Sequence, residues 1–546
     1  MPVSPFSDVT SLSQLPPGID PRCLVNIDRL DASDPEASPA EESSGIHIGG
    51  GIILTAAHVF YELDSTVGGG VRPDSRFDLT FGSGLPSIAD VTMSIATNDP
   101  AQRLVEGRDR FQSFSAPVIG ADIAMIDLAP GGPIDAGDAG YLNSVQATPM
   151  VLFANLDDAD GTDITLLGYP AASRDGATLC RADGEITGNG DVDIIGSGET
   201  LVFYSAALSL EGGFSGGPVF ASLAFEGGSG TYLLGLASAS FGPEDGLIAP
   251  MSVIYAALGA SLASFHSADA FARNVLVSDR SASGTVQGQF FHEDFYGGAF
   301  ADTILAAGGD DAVRGGQGRD QIFGGLGSDT IFGGAGGDRI SDGAGVDILF
   351  ADGGDDVIFA SGAGSANTYR GGAGSDTLSY RGITGGLTLD LAAGTVTGPQ
   401  ARHDVVRGIE HAEGGQGSDA ITGDDLANVL DGRQGNDTLF GGLGADSFAF
   451  STSLDAATNV DRLGDFQHLS DRILLVAPAF SVLGAAVQAT DLHLGTAAAE
   501  ANDRLIYDRA TGRLFFDADG AGALDQVLFA RLVAGTALSA ADFLMG

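Results

Sequence analysis

The sequence contains no lysine, so arginine supplies all 25 of its basic side chains. Against 72 Asp and Glu this leaves a formal net charge of −47. A field this negative argues against nucleic acid and anionic membrane surfaces as partners. It argues for cations, and calcium is the hard cation that carboxylates suit. Cysteine is nearly absent. Cys23 and Cys180 cannot build a disulfide framework, and their spacing matches no zinc pattern. They are either one bridge in an oxidising setting or two small buried residues. The stretch Met1 to Cys23 has neither the basic start nor the apolar run of a signal peptide. The longest apolar stretch, around Ile473 to Val487, is broken by Pro478 and is too short to span a bilayer. The expectation is a cytoplasmic protein or one exported by a route that does not read the N-terminus.

At 546 residues the chain is too long for one ordinary core, and two to four domains are expected. Its hydrophobic content of 44% excludes acidic disorder throughout. Residues 1–43 are rich in Pro, Ser and acid and read as an extended or loosely packed N-terminal extension. Over 44–260, short apolar runs alternate with Gly, Asp and Pro: Gly51–Ala57, Ile123–Leu128, Val151–Ala154, Leu201–Ala207 and Tyr232–Ala237. Such runs bounded by turn residues predict the strands of a barrel or sandwich. Pro250–Leu258 reads as a short closing helix and 261–292 as a linker. The next domain, 293–466, is repetitive with a non-repeat insert at 380–413, and 467–546 leaves the period.

The repeat is nine residues long, Gly-Gly-x-Gly-x-Asp-x-apolar-x, and recurs from Gly297 to Ala449 on both sides of the insert, with two extra residues after Phe359. Its glycines permit tight turns with positive φ. The Asp at position six points a carboxylate into the turn, and exposed carbonyls add oxygen ligands. The apolar residue at position eight faces inward from a very short strand. The candidate metal ligands are Asp302, Asp311, Asp320, Asp329, Asp338, Asp347, Asp356, Asp376, Asp419, Asp437 and Asp446. A disordered Gly/Asp linker would not explain Val313, Ile322, Ile331, Ile340, Leu349 and Ile358 recurring every nine residues. Asn367, Asn428 and the pair Ala306–Ala307 depart from the pattern.

This unit resembles the calcium-binding nonapeptide of RTX (hemolysin-type) proteins. The resemblance implies a parallel β-roll, two units per coil, with Ca2+ between successive turns and folding coupled to metal binding. It further implies type I secretion, read from an uncleaved C-terminal signal. Asp461, Asp465–Phe466 and Asp471 resemble the segment that closes such rolls. Asn502–Asp508, Leu514–Gly520 and Ala541–Leu544 resemble the tail of such proteins.

Three motifs in 44–260 carry a second resemblance. Leu54–His58 (LTAAH) ends an apolar strand in His58. Ala121–Ile126 (ADIAMI) begins with Asp122 after an alanine. Glu211–Val219 (EGGFSGGPV) surrounds Ser215, with Phe214 where an Asp or Asn is usual. In this order they resemble chymotrypsin-like (trypsin-like) serine peptidases. The resemblance implies an all-β, double β-barrel domain in which His58, Asp122 and Ser215 form the triad. It places the oxyanion hole at the backbone N–H groups of Gly213 and Ser215, and the base of the specificity pocket at Ser209, with Leu236–Ser240 as the pocket wall. Ser209 is uncharged, so small or medium apolar side chains are the expected preference. No Ile/Val-Gly-Gly activation site precedes the domain, and no His-Glu-x-x-His zinc-peptidase motif occurs.

Two other readings stay open on the residues alone. Gly213–Gly217 also satisfies the Gly-x-Ser-x-Gly elbow of lipases and esterases, which requires a strand before it and a helix after. A non-catalytic surface or adhesive protein on a peptidase scaffold is the other. The combined expectation is an extracellular, calcium-dependent serine endopeptidase, with peptide or protein substrates and the type I machinery as partners.

Overall fold

The structure, a computed structural model, describes residues 281–362 and 364–546 throughout. Before these it describes 7–8, 12–31, 41–49, 52–55, 61–62, 70–71, 75–81, 91–96, 111–113, 124–127, 149–153, 156–168, 179–193, 200–206, 217–225, 228–242, 245–250 and 272–279. The chain divides into two compact units, 1–280 with 288–294 and 281–287 with 295–546. Strands dominate both, and the helical elements among the described residues are short 3-10 turns.

The N-terminal unit holds two antiparallel sheets. In the first, the strand order is Val91–Ala96, Ser75–Phe81, Leu24–Asp31, Glu41–Gly49, Ile52–Thr55, Ala124–Asp127 and Phe111–Ser113. In the second, Cys180–Asp193, Asp163–Gly168, Pro218–Phe225, Gly228–Gly242, Asp245–Pro250 and Thr200–Ala206 follow one another, and the last pairs back onto the first. That sheet is therefore a closed barrel with no free edge around its ring. Each expected strand in this half is present within one to three residues at its ends, or as part of a longer strand: Ile52–Thr55, Ala124–Asp127, Val151–Phe153, Thr200–Ala206 and, inside Gly228–Gly242, the run from Tyr232. Pro250 ends a strand, and the helix expected at 251–258 lies outside the described residues.

Parts of 1–43 are built into the sheets rather than left as a loose extension. Leu24–Asp31 is flanked on both sides, by Glu41–Gly49 and by Ser75–Phe81. Cys23, Leu24, Val25 and Ile27 are at most 1% exposed. Acidic and proline-rich flanks disguise a run, CLVNI, that is buried along its whole length. Ser7–Asp8 pairs with the Cys180–Arg181 end of the second sheet. The expected linker also contains structure, since Asn274–Val277 is buried and pairs in parallel with Val151–Phe153.

The second unit is built from two parallel sheets. Six-residue strands at Ala312–Gln317, Thr330–Ala335, Ile348–Gly353 and Thr368–Ala373 stack in one. Three-residue strands at Thr303–Leu305, Gln321–Phe323, Arg339–Ser341, Val357–Phe359 and Thr377–Ser379 stack in the other. Each coil thus spends two nonapeptides, one per sheet. Val313, Ile331 and Leu349 stand in register in the first sheet, as do Ile304, Ile322, Ile340 and Ile358 in the second, all 0% exposed. Complete burial of each such side chain is worth about 1.5–3 kcal/mol. These sheets of parallel strands fit a β-roll.

The insert at 380–413 continues the coil rather than interrupting it. Arg402–Arg407 pairs in parallel with Thr368–Ala373, and His411–Glu413 with Thr377–Ser379. The hairpin Thr388–Asp390/Thr395–Thr397 then bridges Arg402–Arg407 to Ala420–Thr422. Residues 467–546 belong to the same unit: Arg472–Leu475 and Phe543–Met545 extend the short-strand sheet.

The packing of Leu24–Asp31 makes a measurable claim. Ile27→Ala should cost the N-terminal unit about 2–5 kcal/mol in urea unfolding. A cost below about 0.5 kcal/mol would return this segment to the status of a loose extension.

Candidate active site and calcium sites

His58, Asp122, Gly213, Ser215 and Ser209 lie outside the described residues. The strands that lead into and out of them are described. Ile52–Thr55 ends just before His58, and Ala124–Asp127 begins just after Asp122. The two pair antiparallel with Thr55 opposite Ala124. The segments carrying His58 and Asp122 therefore leave the sheet from the same end of neighbouring strands. Thr55 is buried and its Oγ1 donates to the Ser44 carbonyl at 2.6 Å, which pins that strand end. Gly45 lies under it, where an added Cβ would stand 3.0 Å from the Leu54 carbonyl oxygen.

On the other side of the Ser215 loop, Gly217 accepts from the Ala237 backbone N–H at 2.9 Å, and Pro218 pairs with Leu236. The strand Pro218–Phe225 packs against Glu41–Gly49, the neighbour of the His58 strand. That neighbouring strand also carries His47. It is 0% exposed, and burial lowers its pKa to about 4 against the opposing pull of Asp20, so it is a neutral core residue.

The calcium candidates are all described, and all eleven are at most 3% exposed. They form two rows joined by a repeated hydrogen bond, in which a backbone N–H donates to Oδ1 of the Asp one coil onward. Before the short strands, Asp302 donates to Asp320 at 2.8 Å, Asp320 to Asp338 at 2.8 Å, Asp338 to Asp356 at 2.7 Å and Asp356 to Asp376 at 3.0 Å. Before the long strands, Asp311 donates to Asp329 and Asp329 to Asp347, both at 2.9 Å. Past the insert the bonds run from Leu387 to Asp419, Asp419 to Asp437, and Asn428 to Asp446.

The other carboxylate oxygen is left over. Oδ2 of Asp320, Asp329, Asp338, Asp347, Asp356, Asp376 and Asp437 is buried with no hydrogen-bond partner. The first glycine of each repeat shapes the space beside it. A Cβ on Gly315 would stand 2.4 Å from the Gly333 carbonyl oxygen and 2.6 Å from Asp320 Oδ2, and Gly324 and Gly333 are similarly placed. A carboxylate oxygen and a carbonyl oxygen thus face one wedge that only glycine leaves open. Among the described residues no three acidic, His or Cys side chains converge. A cation here would draw carboxylates from separate coils and complete its shell with backbone oxygens, an all-oxygen set that suits calcium.

Burial first, then like charges along the row, raise these carboxyls against the lowering effect of the ladder bonds. Asp320, Asp329 and Asp356 stand at about 7, and Asp338, Asp347 and Asp446 at about 6. Asp461 raises Asp437 beyond the effect of burial, while burial and then the charges of Asp431 and Asp419 raise Asp461 against the lowering hydrogen bonds of Asp437. A buried ionised carboxylate with an open oxygen is costly without a partner, so each demands a proton or a cation.

Several ladder members escaped the repeat pattern. Asp404 accepts from Asn367 N–H at 2.9 Å and Glu410 from Asp376 N–H at 3.0 Å. Asp461 and Asp471 accept from Asp437 and Asp446. The insert holds two fragments of the repeat, Asp404-Val-Val-Arg-Gly and Glu410-His-Ala-Glu-Gly, whose acid-x-apolar spacing would have revealed them.

Comparison with known proteins agrees with this division. Residues 43–224 match the trypsin-like peptidase domain family. Residues 296–331, 323–358, 361–379 and 413–448 match the RTX calcium-binding nonapeptide repeat. The chain joins a trypsin-like peptidase domain to RTX calcium-binding repeats. Among solved structures it is similar to the Rv3671c protease of M. tuberculosis in its active form, at 19% identity over 45% of this chain and 81% of that one, TM-score 0.26. It is also similar to the MamO protease domain of Magnetospirillum magneticum, at 12% identity over 43% of this chain and 96% of that one, TM-score 0.26. A search of curated proteins finds no match.

The raised carboxyls give the metal-free RTX unit a pH dependence of defined sign. Their folded pKa values exceed the unfolded value of 3.8, so ionisation weakens the fold. The penalty is absent below about pH 4, grows as pH rises, and is complete above about pH 7. In chelator, circular dichroism should report more β structure at about pH 5 than at about pH 8. Equal or reversed signals would contradict the buried-carboxylate ladder.

Proposed function

We propose that the chain is a secreted, calcium-dependent serine endopeptidase that hydrolyses peptide bonds through His58, Asp122 and Ser215. The observation that carries this reading is the antiparallel pairing of Ile52–Thr55 with Ala124–Asp127, which starts the His58 and Asp122 segments side by side. Ser215 Oγ attacks the scissile carbonyl, and His58 takes its proton. Asp122 holds the imidazole in the right tautomer and stabilises the imidazolium. The N–H groups of Gly213 and Ser215 bind the oxyanion. Losing one such donor typically costs roughly a hundredfold or more in rate. His58 then protonates the leaving amine, and water releases the acyl-enzyme. Ser209, being neutral, suits small or medium apolar side chains at the cleavage site. The strand Pro218–Phe225, where a nucleophile elbow would need a helix, speaks against the esterase reading.

In calcium, the intact chain should react with a fluorophosphonate probe and cut casein, and Ser215→Ala should do neither. An intact chain that is folded yet unreactive would favour the non-catalytic reading. Cleavage of short acyl esters without peptide cleavage would favour the esterase.

Calcium enters through the RTX unit. Its carboxylates and glycine carbonyls would hold the ions, which supply the positive charge that lets the ladder stay ionised when folded. Low cytosolic calcium would leave the unit unfolded for type I export, and millimolar calcium outside would fold it. A passenger protein fused ahead of residues 467–546 should reach the medium when the type I machinery is present. Retention of that fusion in the cell would defeat the export proposal.

A further inference from the structure

The long-strand row of carboxylates is interrupted where the insert begins. Asp342 occupies the first position of its repeat, where most units have glycine. Its Oδ1 accepts from the backbone N–H groups of Gly343 at 2.6 Å and Ser361 at 2.8 Å. Its Oδ2 accepts from the Tyr369 hydroxyl at 2.6 Å and from Asn367 Nδ2 at 3.0 Å. One coil onward, Asp404 uses Oδ1 for the ladder bond, while its Oδ2 accepts from the Tyr380 hydroxyl at 2.7 Å. The two rings meet edge-on, with centroids 6.5 Å apart. All five residues are at most 4% exposed. Tyr369 stands in register with Leu349, in a core row that is otherwise aliphatic from Val313 onward. Burial, and then the neighbouring carboxylates, hold both phenols well above their ordinary pKa, so both remain donors.

Elsewhere in this row, Oδ2 of Asp329, Asp347 and Asp437 is open. Here every side-chain oxygen is used. Calcium needs six to eight oxygen ligands, and a hydrogen-bonded carboxylate oxygen facing a phenol proton is closed to it. Asn367 further removes one negative charge from the row.

We propose that this coil holds no cation: the hydroxyls of Tyr369 and Tyr380 and the amide of Asn367 occupy the carboxylate oxygens of Asp342 and Asp404 that a metal would need. This hydroxyl clamp separates the open carboxylates of Asp329 and Asp347 on one side from that of Asp437 on the other. The inference rests on the reading that the open carboxylates elsewhere bind calcium.

The test counts calcium bound to the full chain by equilibrium dialysis and follows calcium-induced folding by circular dichroism. Asp404→Asn should hold the same number of ions as the parent, while Asp329→Asn should hold at least one fewer. Tyr380→Phe should keep the parent count but raise the calcium midpoint of folding severalfold, because Asp404 loses its donor. Loss of an ion in Asp404→Asn, or an unchanged midpoint in Tyr380→Phe, would overturn the clamp. If the parent binds no calcium, the calcium reading of the roll fails and the clamp falls with it.

Discussion

One hydrogen bond, repeated from coil to coil, governs the second unit: a backbone N–H of each turn donates to the carboxylate one turn onward. It fixes the stacking register, because a slip of one residue would withdraw the acceptor and turn the position-eight side chains out of the core. It also brings the carboxylate into the interior, where its second oxygen has nothing to bind. The fold is thus committed to buried negative charge that its own chain does not neutralise. On the proposed calcium reading, the ions would be part of the interior of the unit rather than an addition to its surface. Glycine at the first repeat position follows from the same constraint, since a side chain there would fill the space between carboxylate and carbonyl.

The peptidase unit solves a different problem. Its two main sheets are antiparallel and nonlocal. What its strands supply is a frame: the strand ends at Thr55 and Ala124 lie opposite one another, and Pro218–Phe225 lies against the next strand of the same sheet. The stiff, buried framework up to Thr55 is the kind of support that loop-borne chemistry requires.

Much of this was legible in the chain. Asp at position six and Ile, Leu or Val at position eight are bound by a strict period, so their burial followed directly from their phase. Asp404 and Glu410 were missed because the ladder obeys stacking in space, and the hairpin at 388–397 breaks the phase without breaking the stack. Leu24–Asp31 was misjudged because Pro, Ser and Asp on either side outweighed five consecutive buried residues. The tyrosine pair was invisible because Tyr369 fits the apolar position as well as Leu does, and only its hydroxyl reveals the difference. The motifs at His58, Asp122 and Ser215 were read from local strings, and the structure supplies the strands around them rather than the side chains themselves.

The ladder has a direction. Every donor lies toward the N-terminus and every acceptor toward the C-terminus, so a bare coil would show carboxylates at one end and amide hydrogens at the other. Two such ends are mutually complementary, and a roll cut to its repeats alone could add to itself head to tail, an open heterologous contact that grows fibres rather than closing. The chain occupies both ends. Gly284 donates its N–H to Asp302 at the first coil. At the other, Phe543–Met545 lies along Arg472–Leu475, and Asp542 accepts from Leu469 N–H and from His468 Nδ1. The non-repetitive tail thereby covers the end of the roll that would otherwise offer such a contact.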